Sequence, residues 1–241
     1  MLTLLSYLVL IIFILGFSKR IFLYTLSPAP LKIPTTPAPV NKTGVIWRLF
    51  TEVAFFNSLF KGDKLAWIGG YLFHASLIFI AARHLRYFID PLPSYMAIIQ
   101  IAGILAGLAM VGGLGLLFAR RLFIDRVRFI SSPADYFILI LLLAIGFSGL
   151  LMRFVFRPDI IHIKAAMTGV WTSWTNFLPL LMPGDYLFMT HLLMVMLLMV
   201  IFPFSKLMHL GGIFFSPTRN QIDNPRECRH VNPWAKNSGQ P

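Results

Sequence analysis

Apolar residues run along this chain in five long blocks, at about 3–17, 67–88, 96–118, 134–155 and 187–208, with polar stretches between them. Each block is long enough to cross ~30 Å of hydrocarbon as a helix rising ~1.5 Å per residue. The pattern predicts an all-α, integral membrane bundle of five helices. Two boundaries carry helix-start signals. SSPAD (131–135) offers Ser132 as N-cap, Pro133 at the first helical position and Asp135 as the capping-box acid. Asp63, just ahead of the second block, is a weaker start signal. In the third block, Gly103 and Gly107 have small-xxx-small spacing. That spacing suits either close helix packing or room for a flat cofactor against the backbone.

Between the blocks, VIWRLFTEVAFFNSLF (45–60) has apolar residues at helical spacing and is expected to lie along the inner membrane surface. SPAPLKIPTTPAPV (27–40) is Pro-rich and expected to be extended. The 156–186 connection is half apolar and holds Trp171 and Trp174, which suits the outer interface.

Composition agrees with the blocks. Of 241 residues, 57% are hydrophobic and only 12% charged, against roughly 25% charged in a soluble domain. The net charge of +12 does not indicate nucleic acid, because the basic residues fall between the blocks. They set topology instead. The first block has no basic segment before it, and Lys19-Arg20 follows it, so it reads as an uncleaved span with its N-terminus outside. On that arrangement the inner side carries seven Lys or Arg in the 18–66 connection, four in the 119–133 loop and five from Lys206 onward, sixteen in total. The outer side holds five: Arg83, Arg86, Arg153, Arg157 and Lys164. The positive-inside rule then places the C-terminus in the cytoplasm. Residues 1–210 form the membrane domain, and 211–241 form a cytoplasmic tail. Cys228 is the only cysteine, so iron–sulfur chemistry would have to belong to a partner.

Candidate chemistry lies in the histidines. His74 and His84 stand on the second block, His191 and His209 on the fifth. Antiparallel spans bring His84 towards His191 near the outside and His74 towards His209 near the inside. Eighteen residues make five whole turns, which would put His191 and His209 on one face; ten residues leave His74 and His84 on adjoining faces. The rises differ, ~15 Å for ten residues and ~27 Å for eighteen. Straight helices would not match both pairs, and Pro203 offers a kink just before His209. One zinc or copper ion would need all its ligands close together, which ~15 Å of rise excludes. Haem iron needs one axial imidazole on each side of a flat ring, so the spacing suits two bis-histidine b haems at two depths. Arg83, Arg86 and Arg153 on the outer side and Lys206 on the inner would face haem propionates. The competing structural reading is that each histidine is a helix–helix hydrogen-bond donor. His162 and His230 are expected to be solvated or interfacial.

FHASLIFIAARHLRYF (73–88) and HLLMVMLLMVIFPFSKLMH (191–209) together resemble the membrane cytochrome b family that includes the gamma subunit of respiratory nitrate reductase. The resemblance covers about residues 67–210. It implies five spans, two b haems, His74 with His209 on the inner haem and His84 with His191 on the outer, in a bacterial or archaeal cytoplasmic membrane. The tail GGIFFSPTRNQIDNPRECRHVNPWAK (211–236) and SLFKGDKLAW (58–67) are similar to the haem b subunit of the sulfite-reduction-associated (Dsr) transmembrane complex and its heterodisulfide-reductase-like relatives. That likeness implies a cytoplasmic iron–sulfur partner resembling the heterodisulfide reductase catalytic subunit. It also implies further membrane and periplasmic redox subunits, a quinone as substrate, and a role in dissimilatory sulfur metabolism.

The expected function is transmembrane electron transfer between a quinone pool and that partner, with no catalytic residue assigned. Asp90 is a candidate proton acceptor beside the outer haem, although Asp90-Pro91 is also turn chemistry. Asp159 and His162 approach from the next connection. The nitrate reductase member uses a lysine on its third span near the quinone; the third span here has none, so that site does not carry over. Phe214, Phe215 and Trp234 among Arg219, Arg226 and Arg229 suit docking on an acidic partner, with a disordered end as the alternative. Rival functions are a gamma-type subunit of a nitrate reductase-like complex, a haem-free membrane anchor and a small-solute transporter. A transporter would bring a broken helix or a buried ion pair at the midplane, and neither is visible.

Overall fold

The computed structural model describes residues 2–27, 34–89, 91, 93–94, 96–161, 163–165, 167 and 186–223. Trp171, Trp174, Asp90, His162 and the tail beyond Asp223, with Cys228 and His230, lie outside them. The described residues are helical, and five helices are long and apolar enough to span a bilayer. They are α1 (Leu2–Leu26), α4 (Lys64–His84), α5 (Met96–Phe123), α7 (Pro133–Phe154) and α8 (Tyr186–Ile201). Three shorter helices lie on the connections: α2 (Lys42–Phe55), α3 (Asn57–Gly62) and α6 (Asp125–Ile130). The chain is a multi-pass membrane protein.

The spans differ from expectation at two places. α1 does not stop at residue 17 but runs through Lys19-Arg20 to Leu26, since nothing in SKRIFLYTL breaks a helix. The fifth span does break. The α-helix ends at Ile201, Pro203 starts a single 3-10 turn at Phe202–Phe204, and Ser205 is extended at φ −118°, ψ 176°. His209 therefore opens a short helix of its own. Pro203 does more than kink the helix, and the five-turn phase between His191 and His209 does not apply.

The start signals hold. Asp63 accepts the Ala66 amide at 2.9 Å. Asp135 accepts the Ser132 amide and hydroxyl, both at 2.9 Å. Both acids also join spans: Arg120 of α5 pairs with Asp63, and Lys206 reaches Asp135 at 2.7 Å. The Ala66 amide, with the Arg120 guanidinium, holds the Asp63 carboxyl below the usual carboxylate range against its partial burial.

Neighbours pack in the order α4–α5–α7–α8–α1. The α4–α5 pair is the most extensive, because Gly69 and Gly113 let the backbones meet. A Cβ on Gly113 would lie 2.9 Å from the Gly69 carbonyl oxygen. The expected glycines serve differently. Gly103 is covered by the Arg83 side chain and Gly107 by Leu150, so neither leaves a slot for a flat ring. Phe73, Met110, Leu114 and Leu139 fill the α4–α5–α7 seam. α4, which carries His74 and His84, and α8, which carries His191, do not close on each other.

α2 and α3 form a layer at the end of the bundle that holds His209. α2 is capped by Asn41, whose side chain accepts the Gly44 amide at 2.7 Å. It exposes Ile46, Trp47, Phe50 and Val53 along one side. The segment 216–223 folds onto this layer. Arg219 pairs with buried Glu52 at 2.9 Å, and the Thr35 amide donates to the Thr218 carbonyl at 2.9 Å.

Candidate functional site: two facing histidine pairs

α4 presents His74 and His84 ten residues apart, a rise of ~15 Å. His209 faces His74 with ring centroids 5.9 Å apart and planes at 79°. His191 faces His84 at 6.4 Å with planes 7° apart. Both expected pairings form, at opposite ends of the bundle. The break at Pro203–Ser205 resolves the mismatch in rise, because it lets His209 leave the axis of α8.

Each histidine commits the same ring atom. Nδ1 of His74 lies 2.7 Å from the Gly70 carbonyl, that of His84 2.7 Å from the Ile80 carbonyl, and that of His209 2.8 Å from the Lys206 carbonyl. A carbonyl only accepts, so in each case Nδ1 carries the proton and Nε2 keeps its lone pair. Nδ1 of His191 lies 2.8 Å from the Ser148 hydroxyl on α7. Among the described residues no hydrogen bond joins the two rings of either pair. The helix–helix donor reading therefore applies only to His191, and there through Nδ1 to Ser148.

The donor set discriminates among metals. No third His, Cys, Asp or Glu joins either pair among the described residues, and two imidazoles alone do not make a zinc site. A porphyrin supplies four equatorial nitrogens and needs only two axial ligands. Two imidazoles bound through Nε2 to opposite faces of one iron have centroids about 6 Å apart, given bonds of about 2 Å and ring centres ~1 Å farther back. The measured 5.9 and 6.4 Å match. Both pairs fit haem iron.

The surroundings of the pairs include residues that sequence reasoning missed. His74 is walled by Phe73, at 4.7 Å between centroids, and by Phe56 at 5.0 Å with its ring nearly perpendicular. Phe56 sits between α2 and α3 at φ 51°, and nothing in FFN announces that conformation. Ser148 is 5% exposed; its one sequence signal is being a hydroxyl inside an apolar span. Near the His84–His191 pair, Arg86 donates to Gln100 at 3.0 Å and lies over the Tyr87 ring. Arg86 and Arg153 are each near enough to Arg83 to repel it, and among the described residues none of the three is in an ion pair. Such a cation cluster suits anionic propionates. Lys206 differs from expectation: it is bound to Asp135, which the capping box had already drawn to the same end of the bundle. Arg219 and Phe215 of the tail are likewise engaged, with Glu52 and Tyr24. Asp159 is exposed, and its carboxylate takes the Ile161 amide at 2.8 Å.

Comparison with known proteins agrees with this geometry. Residues 40–225 match the model of the nitrate reductase gamma subunit family. An Archaeoglobus fulgidus protein named Hdr-like menaquinol oxidoreductase cytochrome b-like subunit is 36% identical, over 95% of this chain and 81% of its own. Its namesake in Archaeoglobus profundus is 32% identical, over 98% and 83%. The Bacillus subtilis nitrate reductase gamma chain is 29% identical, over 68% and 79%. With five spans, two facing histidine pairs and a family match across most of its length, this chain belongs to the nitrate reductase gamma subunit family.

Proposed function

We propose that the protein is the haem b subunit of a membrane-bound quinol oxidoreductase, joining a quinone pool to a redox partner across the bilayer. The observation that carries this reading is the geometry of the pairs. Two sets of imidazoles face each other about 6 Å apart, all four Nδ1 atoms are occupied, and all four Nε2 atoms are left for iron. Bound there, haem b supplies one-electron transfer at two depths along the bundle.

The chain's own part is to hold, orient and insulate. His74 with His209 and His84 with His191 would hold the haem irons, and Arg83 and Arg86 would draw propionates to the outer end. The names of the two Archaeoglobus relatives support menaquinol as the substrate. It is oxidised near the outer pair, with the N-terminus outside, the C-terminus in the cytoplasm, and protons released outside. The cytoplasmic partner is a heterodisulfide-reductase-like iron–sulfur subunit, docked on the tail and the α2–α3 layer. Further membrane and periplasmic redox subunits complete the assembly. We place it in dissimilatory sulfur metabolism, in a complex of the Dsr type. The near-full match to the Hdr-like subunits, against 68% of the chain for the nitrate reductase subunit, supports this assembly over a nitrate reductase-like one.

Reduced-minus-oxidised absorption spectra of the purified protein, with pyridine-haemochrome quantification, test the reading. Two b haems per chain are expected, falling towards one in His84→Ala and in His74→Ala. Intact protein without haem would leave the haem-free anchor as the better account.

A further inference from the structure

The four axial histidines are not held alike. His74, His84 and His209 bond to carbonyls of their own chain three or four residues back. Those partners follow from local backbone geometry, and no side-chain substitution removes them. His191 instead meets a side chain of another span, with the Ile145 carbonyl of that span close by. Its Nδ1 meets Ser148 Oγ at 2.8 Å, and Ser148 Oγ lies 3.0 Å from the Ile145 carbonyl. A hydroxyl has one proton. Given to Ile145, which can only accept, it leaves Oγ a lone pair towards His191, so the imidazole must donate and Nε2 must be bare.

We propose that Ser148 is a positioning residue for the outer haem, fixing the tautomer and ring plane of His191. The proposal rests on the haem reading above. Three further observations support it. Ser148 is buried in α7, so its hydroxyl is held in place. Beside it, Gly149 lacks a side chain where a Cβ would touch His191 Cε1 at 3.6 Å, so the imidazole lies on the Ser148–Gly149 step. The result is an outer pair of nearly parallel rings, 7° apart, where the inner pair stands at 79°. Relative ring orientation governs the rhombicity of a low-spin ferric haem, so the two sites have distinct electron paramagnetic resonance signals, the outer one rhombic.

The test uses the intact chain with Ser148→Ala and Ser148→Thr. Threonine keeps a hydroxyl able to bond a carbonyl one turn back. The readouts are haem content, the ferric resonance spectrum and the two midpoint potentials. In Ser148→Ala the outer signal should lose its rhombic shape and the outer midpoint should rise, because the ligand donates less to ferric iron. The inner signal and midpoint should stay as they are, which also reports that the variant has folded. Ser148→Thr should restore the native outer signal. Loss of the outer haem in Ser148→Ala with retention in Ser148→Thr supports the proposal equally. Native outer signal and midpoint in Ser148→Ala overturn it, as does a threonine variant that behaves like the alanine one, since size rather than the hydroxyl would then matter. Native protein lacking haem overturns the haem reading together with this proposal; two haems with an outer site indifferent to Ser148 overturn this proposal alone.

Discussion

Phe56 is where a single residue takes on backbone strain to serve the site. At φ 51° it occupies the left-handed region, which costs a non-glycine residue about 1–2 kcal/mol. In exchange its ring stands perpendicular to His74, and its amide caps α2 by donating to the Glu52 carbonyl at 3.1 Å. Phe56→Gly relieves the strain and removes the ring, two effects of similar size and opposite sign. Global stability should therefore change by no more than about 1 kcal/mol. On the proposed haem reading, the site at His74 and His209 should not be spared: opened to water, which stabilises ferric charge, its midpoint should fall while that at His84 and His191 holds. Phe56→Leu should keep the native midpoint. Potentiometric titration of the two variants decides it, and an inner midpoint indifferent to Phe56→Gly would reduce the residue to a helix cap. The histidines were legible because imidazoles stand out in apolar spans. Phe56 was not, since its role lies in a backbone angle that phenylalanine does not advertise.

At the level of elements, span number was legible and helix rotation was not. A soluble helix declares its inner face by an apolar stripe. These spans are apolar all round, because lipid and core are equally oily; Ile78, Ile98, Ile101 and Leu105 are all largely exposed. Gly103 and Gly107 could be picked out by spacing, yet the backbone contact is made by Gly113 with Gly69, a pairing that depends on the rotation of two helices at once. Gly113→Ala would set its Cβ 2.9 Å from a backbone oxygen and 3.1 Å from the Leu72 Cβ. Neither neighbour can swing aside, so α4 and α5 must separate. Overpacking of this kind costs about 1–3 kcal/mol, and because α4 carries His74 and His84, it should also weaken haem retention on heating. Gly112→Ala, whose Cβ meets nothing within 4 Å, is the control and should be neutral or slightly stabilising. Equal melting temperatures for the two variants in detergent would mean that the α4–α5 contact does not depend on glycine. The break after Ile201 was half legible for the same kind of reason. Pro203 announced a bend, but whether the helix resumes was set by Ser205, whose hydroxyl caps the next turn at the Leu207 amide.

For the whole molecule, the end of the bundle that holds His209 is tied together by charge. Asp63 with Arg120, Asp135 with Lys206, and Glu52 with Arg219 each link segments far apart in sequence. The gathering of basic residues between the spans was legible; the individual partners were not, because many cations could have met any acid. The Glu52–Arg219 pair alone links the segment 216–223 to α2 by an ion pair, and its pH dependence follows from the carboxyl. Burial raises the Glu52 pKa, but hydrogen bonds from the Ser58 hydroxyl and amide, with the Arg219 guanidinium, outweigh burial and hold it below its ordinary value of 4.5. A carboxyl with a depressed folded pKa contributes stability above its unfolded pKa and loses it as pH falls through the folded one. The segment should thus stay docked at neutral pH and release progressively below about pH 4.5. Glu52→Gln should weaken docking by about 1–3 kcal/mol at pH 7 and abolish the acid dependence. Hydrogen exchange at residues 216–220, corrected for intrinsic rates, reads both effects. Protection that ignores pH in the native chain, or that declines with acid equally in Glu52→Gln, would show that the segment is held by its backbone bonds to Thr35 and Pro39 rather than by charge.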